Sequence, residues 1–252
     1  MCTLTVIAIT PEHQRLVFNR DEQRTRPTSH PPELRRTGPY TTIMPIDPAS
    51  GGTWLAANDA GLVACLLNAN PESSSPRGLS TPRRSRGEII PALMNSGSMS
   101  DAAHQASALN PRDYPPYRLV LMASGAFVVI ESDGHHLTST TARSFREPML
   151  LTSSGLGDAV VEQPRRILFE TMLAPHRASP STQDDFHNHR WPERLQLSVL
   201  MSRAEARTVS QTTLDIVSDS ITLRHRAVSD PPERNDPTFA TRINLTNACI
   251  QA

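Results

Sequence analysis

The chain opens on a short apolar run, Cys2-Thr3-Leu4-Thr5-Val6-Ile7-Ala8-Ile9, and a second apolar stretch follows Arg15. Together they predict strands over 3–9 and 15–19, joined by a polar turn at Pro11-Glu12-His13. Residues 24–50 are rich in proline, arginine and threonine and read as a long loop with at most one short strand. A hairpin follows, with strands at 53–57 and 62–67 around the turn Asn58-Asp59-Ala60-Gly61. Residues 71–82 carry Ser, Pro and Gly and predict a mobile loop. Ser85 can cap a helix to about Asn95, and Ser100 another to Leu109. Strands are predicted at 117–123, 126–131, 135–139 and 148–152, then helices at 158–173 and 192–206, then strands at 213–217, 220–226 and 238–242. Hairpins at both ends with helices between them predict a layered α+β domain rather than parallel βαβ units. With 252 residues and no internal repeat, a single domain over 1–252 is the simpler organisation.

Composition narrows the chemistry. Formal charge is zero, so no global field points to nucleic acid or an acidic partner. All 25 basic residues are arginine, which excludes a Schiff-base lysine and a lysine-bearing phosphate loop. The cysteines, Cys2, Cys65 and Cys249, are too scattered for a disulfide framework or zinc knuckle, and a reducing cytosol suits them. No apolar stretch is long enough to span a bilayer, and the N-terminal run lacks a signal peptide's charged region. A cytoplasmic protein is therefore expected.

Cys2 is the residue with most to offer. Removal of Met1 would leave a thiol and a free α-amine on one residue, and such an amine, with a pKa of about 7.7–8.0, is a base near working pH. The first hairpin brings Arg20 and Asp21 back towards Cys2, where Arg20 can favour the thiolate and Asp21 can accept hydrogen bonds from the α-ammonium. Asn68, at the end of a core strand, offers an amide NH2 to a developing oxyanion. Each has a plainer reading: a buried cysteine, a solvated Arg-Asp turn, a turn asparagine.

Taken in order, Cys2, Asn19-Arg20-Asp21-Glu22 with Arg26-Pro27, Gly51-Gly52-Thr53-Trp54, the stretch to Asn68 and Ser85-Arg86-Gly87 resemble the NRDE-motif family, also called the transport-and-Golgi-organisation family. The first strand, the Arg-Asp pair and the Asn-Asp-x-Gly-Leu hairpin are also similar to choloylglycine hydrolases and penicillin V acylases, N-terminal-nucleophile hydrolases with a four-layer αββα fold. The resemblance implies Cys2 as nucleophile, Arg20 and Asp21 as its support and Asn68 as oxyanion donor. Asn19, Glu22, Thr53, Trp54 and Arg86 come with the same motifs as candidate substrate-binding residues. Acylases of this type have a second asparagine just after a strand, where this chain reads Leu150-Leu151-Thr152-Ser153-Ser154-Gly155; Ser153 is the candidate substrate-binding residue there, able to donate one hydrogen bond but not to imitate an amide. The family's Trp-Pro-Lys-like run is replaced by Glu162-Gln163-Pro164-Arg165-Arg166, and Ala240-Thr241-Arg242 resembles its late Gly-Thr-Arg run, which makes Arg242 a candidate arginine of the site.

The remaining signals add little. Gly155-Leu156-Gly157 lacks the third glycine of a dinucleotide loop and reads as a helix entry turn. His187-x-His189 beside Asp184 and Asp185 has metal-donor types without strands to fix them, so no metal and no organic cofactor is expected. The arginines at 77, 83, 84 and 86 have no aromatic among them for base stacking, so nucleic acid is not the expected partner. The sequence thus points to a cysteine N-terminal-nucleophile hydrolase or acyltransferase acting on an amide or thioester carbonyl of a small acylated substrate. The alternative is a non-catalytic binding or trafficking protein that uses the same pocket for a hydrophobic or acyl-bearing ligand.

Overall fold

The computed structural model describes residues 2–70, 84–123, 125–174, 176–233 and 236–246; the predicted loop at 71–82, Met1 and Cys249 lie outside the described residues. Two antiparallel sheets form its centre. The first has six strands in the order β11-β1-β2-β12-β13-β14: β1 (Cys2–Thr10), β2 (His13–Gln23), β11 (Met149–Ser153), β12 (Ala206–Val217), β13 (Ser220–Ala227) and β14 (Thr238–Asn244). The second runs β10-β8-β7-β6-β5-β4-β3, with β9 also on β8: β3 (His30–Thr37), β4 (Tyr40–Ile46), β5 (Leu55–Asn58), β6 (Val63–Asn68), β7 (Tyr117–Ala123), β8 (Ala126–Ser132), β9 (Leu137–Ser139) and β10 (Arg143–Ser144). Helices α1 (Ile89–Leu93) and α2 (Met99–Ser107) cover this sheet, while α3 (Asp158–Met172) and α4 (Pro180–His187) cover the six-stranded one.

Strand alternation explains the layers. Leu4, Val6, Leu16, Phe18, Leu214 and Leu223 from one sheet meet Ile43, Leu55, Val63, Cys65, Val120 and Met122 from the other in a central core. The opposite faces meet the helices: Ala64, Leu119 and Leu121 pack with Ile90, Leu93 and Ala102, and Ile7 and Leu150 with Phe169 and Phe186. Burying each such large apolar side chain contributes roughly 1.5–3 kcal/mol. The outcome is the four-layer αββα sandwich that the resemblance implied. Among the described residues no helix is long and apolar enough to cross a membrane.

Two predicted segments turn out differently. Residues 24–50 contain two paired strands, β3 and β4, in place of a loop. Pro31 and Pro32 fall in a register irregularity between His30 and Glu33 on an edge strand, where missing N–H donors cost no ladder bond. The segment 192–206 forms no helix, because its carbonyls serve buried side chains instead. Those of Leu197 and Ser198 accept from Arg165, and that of Val199 accepts from Asn19. The helix of this region is α4, whose Ser179–Thr182 capping box and Pro180 at the first position fix its start.

Two histidines are sealed into these layers. His225 faces the central core between Thr212 Oγ1 at 2.9 Å and Ser29 Oγ at 3.0 Å, with Trp54 and Arg20 nearby. Burial and then Arg20 push its pKa down to about 4 from an ordinary 6.5, and burial likewise lowers that of His187. The native state therefore holds His225 neutral while the unfolded chain binds a proton below pH 6.5, so stability is full above that pH and falls towards pH 4. The loss attributable to His225 amounts to about 3 kcal/mol at about 1.4 kcal/mol per pKa unit. Urea unfolding measured between these two pH values should show that decline, and His225→Gln should shrink it while leaving the part due to His187.

Candidate active site

The site begins with register. Cys2 pairs with Arg20 on β2 and with Ser153 on β11, so the first residue of β1 lies between those two positions. Because side chains alternate, Cys2 and Arg20 point between the sheets, whereas Thr3 and Asn19, the next pair along, point to the helices. The Cys2 backbone nitrogen donates to Ser153 Oγ at 3.0 Å.

Around Cys2 opens a cavity of about 310 Å³, lined also by Arg20, Asp21, Glu22, Trp54, Asn68 and Arg86. Arg20 lies with its guanidinium carbon 4.4 Å from the centre of the Trp54 ring. Its Nη2 donates to Asp47 Oδ2 at 3.0 Å and to Glu22 Oε2 at 3.2 Å. Arg26 donates to the same Asp47 oxygen through Nη2 at 2.6 Å and Nε at 2.9 Å. Burial works against the Asp47 carboxylate, but Arg26, the Ala49 N–H and Arg20 outweigh it and hold the carboxyl below its usual range.

Burial pushes the Cys2 thiol up, with the Asp21 carboxylate adding to the rise; Arg20 and a hydrogen bond from the Asp21 backbone N–H act in the opposite direction. Burial likewise raises the Asp21 carboxyl, opposed by the charge of Arg165 and by the Thr208 hydroxyl, which donates to Asp21 Oδ1 at 2.6 Å.

A second wall is built from backbone. The Thr53 N–H donates to the Gly87 carbonyl at 3.0 Å, and Ser85 caps the turn Arg86–Glu88 through the Gly87 N–H. The two loops touch so closely that a methyl carbon placed on Gly52 would lie 2.5 Å from the Gly87 oxygen. This contact presents Arg86 to the cavity, with Nη1 donating to the Pro116 carbonyl at 2.7 Å.

The structure thus gathers most of the candidates. Cys2, Arg20, Asp21, Glu22, Thr53, Trp54, Asn68 and Arg86 all line the cavity. Thr53 uses its hydroxyl on the Leu55 carbonyl at 2.8 Å, so it shapes the wall with a side chain already engaged. Ser153 is fully buried and reaches the Cys2 nitrogen rather than the cavity lining.

Two candidates lie elsewhere. Asn19 is on the helix side of β2, where it donates to the carbonyls of His187 at 2.8 Å and Val199 at 3.1 Å and accepts from Gln211, so it holds layers together instead of meeting substrate. Arg242 is exposed on the edge strand β14 and donates to Ser220 Oγ at 2.9 Å. The residue that sequence reasoning missed is Asp47. A single acid between β4 and Gly51-Gly52, with three arginines in the neighbouring motifs, was the available signal. Among the described residues no cluster of His, Cys, Asp and Glu could hold a metal.

Two packed antiparallel sheets between helical layers, with the start of β1 at a cavity between the sheets, place the chain in the N-terminal-nucleophile hydrolase fold class. Three solved structures are similar. Penicillin V acylase from Agrobacterium tumefaciens has 14% identity, covers 98% of this chain and 87% of its own, and superposes with a TM-score of 0.53. The mutant C2A conjugated bile acid hydrolase from Clostridium perfringens has 11% identity, coverage of 96% and 92%, and a TM-score of 0.52. The Caenorhabditis elegans N-acylethanolamine-hydrolyzing acid amidase ortholog has 12% identity, coverage of 85% and 92%, and a TM-score of 0.51. Residues 1–227 match Transport and Golgi organisation 2, and the chain belongs to that family. No curated protein sequence matches it.

The close contact at Gly52 carries a direct expectation. Gly52→Ala must displace the backbone at Gly87, at a cost of about 1–3 kcal/mol, and shift Arg86 with it. Thermal unfolding of the variant should show the loss; an unchanged melting temperature would mean that the two loops do not meet as described.

Proposed function

We propose that the protein, with Met1 removed, is a cysteine N-terminal-nucleophile hydrolase or acyltransferase acting on the amide or thioester carbonyl of a small acylated substrate. The observation that carries this is the position of Cys2 on the cavity wall, with Arg20 across from it on β2 and Asn68 on the same lining. The removal of Met1 turns the Cys2 nitrogen from an amide into an amine that can take the thiol proton. Arg20 and the Asp21 N–H then favour the thiolate against the effect of burial. The thiolate attacks the substrate carbonyl carbon, and the Asn68 amide donates to the oxyanion. The α-ammonium, held by Ser153 Oγ, returns its proton to the departing amine or thiol as the carbonyl bond to it breaks. Water, or another acceptor, deprotonated by the same amine, releases the acyl group from Cys2. Apart from substrate and the acyl acceptor, the chemistry calls on no metal or organic cofactor.

A second reading has one observation in its favour. Cys2 is only 6% exposed and burial raises its thiol, which suits a protein that binds a hydrophobic or acyl-bearing ligand without reacting. Against it stands the charged lining of the cavity, which gives an apolar ligand little to bury against.

Intact-mass measurement should find Met1 absent and, after treatment with a thioester, one acyl group on Cys2. Cys2→Ala should abolish that adduct, and Asn68→Ala should slow its formation by about 10²-fold or more. Retained Met1 together with unchanged turnover in Cys2→Ala would overturn the nucleophile. Ligand binding preserved in that variant, with no adduct in the wild type, would establish the binder.

A further inference from the structure

The charges of the cavity do not all answer one another. Arg20 and Arg26 are held by Asp47 and Glu22 at 2.6–3.6 Å. Arg86 gives Nη1 to a neutral carbonyl, and among the described residues no carboxylate lies within the 4.0 Å of an ion pair. Burial lowers its pKa, against the opposite pull of Cys2 and Glu22, and the guanidinium keeps its charge at any physiological pH. A partly desolvated cation facing mainly neutral acceptors is costly unless an anion joins it.

The walls agree with a small polar guest. Among the described lining residues, apart from glycines and Cys2, only Trp54, Leu66 and Pro115 are apolar, and they are interspersed with six charged side chains. At about 310 Å³ the space falls at the lower end of the roughly 300–1,000 Å³ usual for ligand pockets. A steroid or a long alkyl chain would desolvate these side chains and leave Arg86 without an anionic partner. The backbone contact between Thr53 and Gly87 also fixes the Arg86 turn before any ligand arrives, so little ordering is needed on binding.

We propose that Arg86 is the subsite for a carboxylate carried by the substrate, so that the protein acts on small acyl compounds with a free acid group, such as half-amides or half-thioesters of short dicarboxylic acids. A planar guanidinium forks onto one carboxylate, which suits a lone arginine better than a doubly charged phosphate would in a cavity that already holds three acids. Glu22 is the acid closest in role to a competitor, and its bond to Arg20 keeps it engaged. This substrate class rests on the nucleophilic role of Cys2.

The test uses two probes, the S-phenyl monothioester of succinic acid and the methyl ester of that compound. Calorimetry on Cys2→Ala protein measures binding without reaction. The acid should bind about tenfold more tightly than the ester. Adding Arg86→Gln should bring the two within about twofold, while Arg86→Lys should keep part of the difference. Circular dichroism checks that each variant is folded. Equal or undetectable binding of the two probes, or a preference that survives Arg86→Gln, overturns the subsite.

Wild-type protein with Met1 removed is then treated with each probe. Cys2 Sγ bonds to the succinyl carbonyl carbon, the bond from that carbon to sulfur of the phenylthio group breaks, and thiophenol leaves with the proton of the Cys2 thiol. The acid should add its succinyl group faster than the ester. Preferential binding without any adduct would overturn the nucleophile and leave the subsite standing. Adducts from both probes at equal rates and with equal affinities would overturn the subsite and leave the nucleophile standing. If Arg86→Gln slowed both probes alike, Arg86 would serve the Cys2 thiolate and the carboxylate subsite would be lost.

Discussion

The pairing of β1 with β2 in one particular register is the constraint on which the site depends. A slip of one residue would turn Cys2 towards α3 and α4 and bring Thr3 into the cavity in its place. Apolar alternation opposes such a slip, since Leu4 and Val6 would lose the central core if β1 shifted, as Leu16 and Phe18 would if β2 did. Polar pairing opposes it further. Asn19 occupies the helix side of β2, with two carbonyls, His187 Nδ1 and the Gln211 amide all bonded to its side chain, and none of these partners would be met if β2 shifted. A residue outside the cavity thus decides which side chains line it.

Sequence alone revealed much of this, and the pattern of success has a physical origin. The strands of the inner layers were legible because burial on one or both faces writes apolar runs, as in 3–9, 62–67 and 117–123. Cys2, Arg20 and Asp21 were legible because one hairpin brings them together by local connectivity, and Asn68 because it ends a core strand inside a motif of the resemblance. The β3–β4 hairpin was not, since an edge strand tolerates proline and exposed arginine and so carries no apolar signature. Asp47 was lost with it, because its meaning lies in contacts with Arg20 and Arg26 that no local pattern encodes. Arg242 was placed in the site on a tripeptide alone, and topology carried it to the opposite edge of its sheet. Asn19 shared its motif with Arg20, and strand alternation separated the two.

Arginine in place of lysine matters most where the chain buries it. Arg165 is 1% exposed and bonds to Thr3 Oγ1 at 2.8 Å, Thr152 Oγ1 at 2.7 Å and the carbonyls of Leu197 and Ser198 at 3.0 and 2.7 Å. Thr3 and Thr152 are cross-strand partners, immediately next to the pair Cys2 and Ser153. One planar group therefore clamps the two strands that carry Cys2 and Ser153, from the face opposite the cavity, and ties them to α3. A lysine at the same depth would offer three donors and, desolvated, would tend to release its proton. The guanidinium keeps both its bonds and its charge, and that charge is the largest influence holding the buried Asp21 towards its ionised form. The same side chain consequently fixes the geometry behind Cys2 and the electrostatics beside it, which couples the helical layer to the chemistry of a cavity it does not touch.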